Sequence, residues 1–92
     1  WCNDVKSKEN YNKPINIRKR VRHEKMYRFD GKYNLLIPIK YNFLKPKLGK
    51  GSAIFLHITK NFKPTAGCIA LKESDFLILL KLINKKTKII IK

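Results

Sequence analysis

The chain reads as a small, mainly β domain with one helix near its C-terminus, and three features predict this. Several short apolar runs are bounded by turn residues, one longer stretch (residues 73–84) contains no Pro or Gly, and 43% of the 92 residues are hydrophobic. A chain of this length forms at most one domain and buries only about two-thirds of the surface that it exposes when unfolded. Its stability margin is therefore thin, but its composition is that of a folded protein rather than a disordered polymer.

Residues 1–25 are polar and basic without a sustained period. They are expected to lie over the surface as loop or extended chain, with at most one short strand at 15–17. Asp30-Gly31 has the signature of a tight turn, and the apolar run 33–41 after it reads as a strand. Pro38 puts that strand at a sheet edge or a bulge, because proline has no N–H for the ladder. Residues 45–51, with Pro46, Gly49 and Gly51 among lysines, read as a mobile, solvated connection.

Ser-Ala-Ile-Phe-Leu-His-Ile at 52–58 has the pattern of a strand covered on both faces. A loop follows over 59–66, and a strand resumes at 68–71. Residues 73–84 predict a buried helix, with Glu73 and Asp75 at the end where the helix dipole favours acids. Ile89-Ile90-Ile91 within 87–92 reads as a closing strand.

Charge is lopsided: 22 Lys plus Arg against 6 Asp plus Glu give a net +16. Such a field attracts polyanions and says little about fold. The excess is lysine apart from Arg18, Arg20, Arg22 and Arg28, and lysine is poorer than arginine at bidentate readout. General attraction is expected, with no specific nucleic acid partner. No apolar run approaches 18 residues, so no transmembrane segment is expected. The chain opens on Trp1 rather than Met, which implies that the numbering starts inside a longer product or that an upstream part was removed.

Cys2 and Cys68 could form one disulfide, which would silence Cys68. Two Cys and two His lack CxxC or HxxxH spacing, so no metal site is expected. No glycine-rich nucleotide loop is present, and Gly49-Lys50-Gly51-Ser52 reads as a flexible lead-in to a strand. No cofactor is implied.

Chemistry converges on Cys68 and His57. Ten residues separate them, and on paired strands one hairpin apart their Cβ atoms would lie roughly 4.5–5.5 Å apart. The imidazole can then take the thiol proton, and a thiolate is far the better nucleophile. Gly67 leaves room for an acyl group, and the N–H groups of Gly67 and Cys68 could face a developing oxyanion. Thr65 could orient the loop or bond substrate. The rival readings are a buried, inert Cys68, a satisfied core His57 and a tight-turn Gly67. His23, in a basic polar run, reads as a solvated surface group.

Gly51-Ser52-Ala53-Ile54-Phe55-Leu56-His57-Ile58 followed by Pro64-Thr65-Ala66-Gly67-Cys68-Ile69-Ala70-Leu71 resembles the histidine and cysteine blocks of the L,D-transpeptidase catalytic domain (YkuD-type) family. The match is to the branch with a short His-to-Cys loop and Thr-x-Gly-Cys-[Val/Ile]-Ala-Leu. Ala66 stands where many relatives have histidine. Trp1-Cys2-Asn3-Asp4, Tyr11-Asn12, Glu24, Tyr27-Arg28, Asp30 before Tyr33, and Tyr41-Asn42 are also similar to that branch, so the resemblance spans nearly the whole chain.

The resemblance implies a compact mixed sheet or sandwich with one packed helix. Residues 1–92 are expected to be a single domain, the C-terminal and larger part of such a catalytic domain, with 1–32 an irregular basic segment and 33–92 the catalytic core. It implies acyl transfer on peptidoglycan stem peptides, with transpeptidase or carboxypeptidase outcome, in the periplasm or cell envelope. Catalytic roles fall to Cys68, His57 and Gly67, and substrate contacts to Thr65, Ala66 and Arg28. A monomer is expected. The alternative is a non-catalytic basic module that grips nucleic acid or an anionic cell-wall polymer through the run 18–25.

Overall fold

A computed structural model describes residues 1–16, 20–61 and 64–91. Its regular elements are β1 (Leu36–Pro38), β2 (Phe55–Thr59), β3 (Ile69–Lys72) and α1 (Glu73–Leu82). The sheet order is β1-β2-β3, with β1 antiparallel and β3 parallel to the central β2. The expectation of a small β-rich domain with one helix is met by this mixed sheet.

β2 is the element that every other part covers. Its residues Phe55, Leu56, His57 and Ile58 are all buried, as expected for a strand with two covered faces. Strand side chains alternate, and the alternation divides the structure into two layers. Leu56 and Ile58 face the helix and form the apolar core with Phe76, flanked by Leu35, Ile37, Ile39, Ile69, Leu71 and Leu79. Phe55 and His57 face the other way, into a wall of aromatic rings: Trp1 and Tyr33 meet Phe55 edge-on at 5.2 and 5.7 Å, and Trp1 stacks on Phe43 at 6.4 Å.

Strand β1 is shorter than the apolar run 33–41 that contains it. Pro38, at its last position, has no N–H to extend the ladder. It lies on the outer strand of the sheet, as its chemistry demands. One further bond, from the Ile39 N–H to the Ile54 carbonyl at 2.9 Å, closes the pairing before the chain turns away.

Four expectations of the fold are corrected. Residues 1–25 are irregular but do not simply overlie the surface: Cys2, Tyr11 and Asn12 are buried, and Cys2 forms an isolated bridge with His23. The connection at 45–51 is exposed yet pinned, since the Asn42 amide bonds Lys47 twice and the Gly51 carbonyl once. Helix α1 is covered on one side only. Phe76 is buried, whereas Leu77, Ile78, Leu80 and Leu82 remain exposed.

The closing strand expected at 87–92 is also not formed among the described residues, which end at 91. A side-chain-bonded turn intervenes, in which the Asn84 N–H donates to Thr87 Oγ1, and Ile89, Ile90 and Ile91 stay exposed. Of the strand expected at 15–17, residues 15 and 16 are not in a strand and residue 17 lies outside the described residues, as do residues 18 and 19 of the basic run 18–25.

Because Phe76 is the one buried side chain of α1 and seals the Leu56–Ile58 face, Phe76→Ala is expected to cost about 3–5 kcal/mol. That is a large share of a stability of roughly 5–15 kcal/mol. Urea unfolding should show the midpoint collapse, and Leu77→Ala, on the exposed side, should leave it nearly unmoved.

Candidate functional site

β2 and β3 carry His57 and Cys68 into one region, but by a different geometry from a hairpin. The two strands are parallel, so His57 lies opposite Ala70. The expected facing of the two side chains across a hairpin is corrected accordingly. The connection after β2 returns to the start of that strand, and Cys68, two residues before Ala70, meets the segment leading into β2. Its Sγ–H donates to the Ala53 carbonyl at 3.3 Å. Both cysteines are free, Cys2 fully buried and Cys68 half-buried.

His57 is 1% exposed. Its Nδ1 lies 2.8 Å from the Ile58 carbonyl oxygen. A carbonyl only accepts, so Nδ1 carries the proton and Nε2 keeps its lone pair. That Nε2 is buried without a hydrogen-bond partner. An unpaired buried acceptor is unfavourable by about 1–3 kcal/mol, and an arriving proton donor would satisfy it. The group that orients the imidazole is therefore a main-chain carbonyl of the neighbouring residue.

Tyr33 packs against the imidazole. Its ring lies 5.6 Å from the imidazole, and its hydroxyl donates to Glu24 Oε1 at 2.7 Å. Burial pushes the phenol far above its ordinary value, with the Glu24 bond and the nearby Cys68 adding to the shift. It stays a protonated donor throughout the working range.

Arg28 stands over the same ring at 5.2 Å. Its guanidinium grips Asp30 in a fork, Nη2 to Oδ2 at 2.6 Å, and reaches Glu24 at 3.4 Å. The Arg28 bonds, followed by the Lys32 N–H, hold the Asp30 carboxyl down to about 2, and Asp30 in turn raises Arg28. This expected substrate residue thus already has two carboxylate partners.

A cavity of about 340 Å³ opens beside His57, walled by Arg28, Asp30, Lys32, Lys60 and Thr65 among others. Its size lies within the range of small-ligand sites. Of the expected site residues, His57, Arg28 and Thr65 line it, whereas Ala66, Gly67 and Cys68 are not part of its wall. Ala66 and Gly67 are exposed.

The Thr65 hydroxyl donates to the Cys68 carbonyl and closes the 65–68 loop. Gly67 has φ +136°, and an added Cβ would make only an ordinary 3.6 Å contact with Ile54. Backbone conformation, rather than lack of space, is what requires glycine there. Its N–H approaches Thr65 Oγ1 at 3.5 Å, a contact long enough to yield to a stronger acceptor.

Among the described residues, no three His, Cys, Asp or Glu side chains gather as a metal group. No helix there is long and apolar enough to cross a membrane. Glu24 and Tyr33, which organise one side of the cavity, carried only motif-level resemblance in the sequence. The available signal was the placing of two of the six acidic residues, Glu24 and Asp30, on either side of Arg28 in a strongly basic chain.

The fold and this region define a small β-rich domain with a free thiol and with a carbonyl-oriented imidazole that lines a basic cavity. The chain belongs to the L,D-transpeptidase catalytic domain family (YkuD), whose model matches residues 3–91. An L,D-transpeptidase-like function, directed at cell-wall peptidoglycan, follows at the level of that family. No match is found among curated proteins or among solved structures.

The ion pair at the cavity gives a titration test. Asp30 should titrate near 2 in the wild type and rise toward 3.8 in Arg28→Gln, as read from its carboxyl NMR shift. Because the folded value is depressed, the pair's contribution is complete above 3.8 and fades as pH falls through about 2. Identical values in the two proteins would remove the pair from the account.

Proposed function

We propose that the protein is a cysteine acyltransferase acting on peptidoglycan stem peptides, with Cys68 as nucleophile and His57 as its base. The observation that carries this reading is the His57 Nε2 lone pair, buried and without a partner, on a residue that lines a cavity of substrate size. The Cys68 thiol rests on the Ala53 carbonyl. Proton transfer requires the thiol to exchange that weak acceptor for Nε2, and hydrogen bonds in a resting site commonly tighten only when substrate is bound.

The reaction then runs in two halves. His57 takes the thiol proton, and the sulfur attacks the carbonyl of the L,D bond between the diamino acid and the terminal D-alanine. The C–N bond breaks, D-alanine leaves with the proton returned by His57, and a thioester remains on Cys68. An acceptor amine attacks the thioester to form a cross-link, or water attacks it to trim the stem. The loop that Thr65 closes presents the Gly67 and Cys68 N–H groups to the oxyanion.

Substrate carboxylates meet the cations of the same cavity. Arg28 is engaged by Glu24 and Asp30, so Lys32 and Lys60 are the cavity cations placed to receive a stem-peptide carboxylate. The net charge of +16 concentrates an anionic polymer at the surface, which suits a protein of the periplasm or cell envelope. Residues 1–92 act as one domain.

Incubation with a carbapenem, which acylates the cysteine of this family, should add one drug mass to the wild type and none to Cys68→Ala. His57→Ala should slow adduct formation by roughly 10²–10⁴-fold. An adduct that persists in Cys68→Ala, or one that forms at full rate in His57→Ala, would overturn the assignment.

A further inference from the structure

Among the described residues, the most exposed aromatic rings lie beside the cavity and take no part in the reaction above. Phe29 is 95% exposed and Tyr27 80%. The two rings are held edge to face, 5.4 Å apart at 80°, so they form an open corner rather than a pair of loose side chains. They share a shallow groove with Lys25, Met26, Arg28 and Asp30.

The turn that carries them is stiffened from within. Arg28, between the two rings in sequence, is forked onto Asp30 and tied to Glu24. The Lys32 N–H also donates to Asp30 Oδ1 at 3.0 Å. Two adjoining exposed rings on a braced turn form a local apolar surface that a ligand can cover.

We propose that Tyr27 and Phe29 form a saccharide platform that takes the glycan strand of peptidoglycan while the stem peptide occupies the neighbouring cavity. This deepens the acyltransferase reading and rests on it. A pyranose ring carries C–H groups on one face, which pack on an aromatic face, and hydroxyls around its rim, which need polar partners. The corner supplies both: one ring face as floor, the second ring as a side wall, and the Lys25, Arg28 and Asp30 heads at the edge.

Continuity with the cavity selects this occupant. Arg28 and Asp30 wall both the aromatic groove and the His57 cavity. A polymer whose peptide enters the cavity therefore brings its sugar backbone over the rings. A second copy of the chain is disfavoured by bringing two +16 charges together.

The test separates binding from chemistry. The full chain carrying Cys68→Ala is titrated with glycan strands freed of peptide by amidase digestion, and carbapenem labelling of the wild type is measured in parallel. Tyr27→Ala with Phe29→Ala should weaken glycan binding by roughly tenfold or more, with an unchanged thermal midpoint, and Tyr27→Phe should retain it. Equal binding by the double alanine variant overturns the proposal. So does failure of the Cys68→Ala chain to bind peptide-free glycan, or ring-dependent binding to oligo-dT or anionic vesicles in place of glycan. Loss of carbapenem labelling would instead strike the acyltransferase reading.

Discussion

The Asn12 amide holds the site together from a distance. It is 2% exposed, and it uses its full bonding capacity. Oδ1 accepts from Trp1 Nε1 at 2.8 Å and from the Ala53 N–H at 3.1 Å, and Nδ2 donates to the Tyr41 and Asn42 carbonyls at 3.0 and 2.6 Å. Ala53 sits at φ +57°, a conformation uncommon for a residue with a Cβ, and it persists because its N–H is claimed by a buried acceptor. The Ala53 carbonyl, turned by that conformation, is the group on which the Cys68 thiol rests. One buried side chain of the N-terminal segment thus sets the resting position of the Cys68 thiol, 56 positions further along the chain. A second tie, from the Ser52 hydroxyl to the Cys2 carbonyl at 2.7 Å, fixes the same stretch.

The two faces of β2 divide the labour between stability and chemistry. Leu56 and Ile58 are committed to Phe76 and the apolar core. His57 is then left facing Tyr33 and the aromatic wall, where burial excludes water from Nε2 and the main chain of the next residue fixes the tautomer. A one-residue slip of β2 would exchange the two sets. The apolar demand on Leu56 and Ile58 is thus also what aims the imidazole.

Much of this was legible in the residues. The apolar run before His57, the Pro-free stretch of α1 and the edge position required by Pro38 each follow from local chemistry. The thiol and the imidazole were recognisable from residue type and motif. Three things were not. Parallel pairing of β2 and β3 is a long-range choice, which a nine-residue link (residues 60–68) between short strands reads as a hairpin. The buried role of Cys2, Tyr11 and Asn12 was hidden by polar neighbours, because an irregular segment has no period to betray its inward side chains. The carbonyls that orient His57 and Cys68 belong to Ile58 and Ala53, and a main-chain group leaves no mark on the residue type that bears it.

Charge operates on two scales here, with different outcomes. Over the whole molecule the excess of lysine is uncompensated, and its field reaches about 8–10 Å into solution at ordinary ionic strength. Within the site, Arg28 is neutralised by two carboxylates at contact distance, and its work is mechanical: it covers Tyr33, braces the turn of Tyr27 and Phe29, and forms a wall common to both grooves. The long-range field can gather any polyanion and so cannot by itself select a substrate. Selection must come from the short-range shape that the Glu24–Arg28–Asp30 cluster maintains, and that cluster lies in the irregular basic segment rather than in the sheet. Segment and sheet therefore form a single unit, since the cavity is walled by Arg28, Asp30 and Lys32 of the one and by His57, Ile58 and Thr59 of the other.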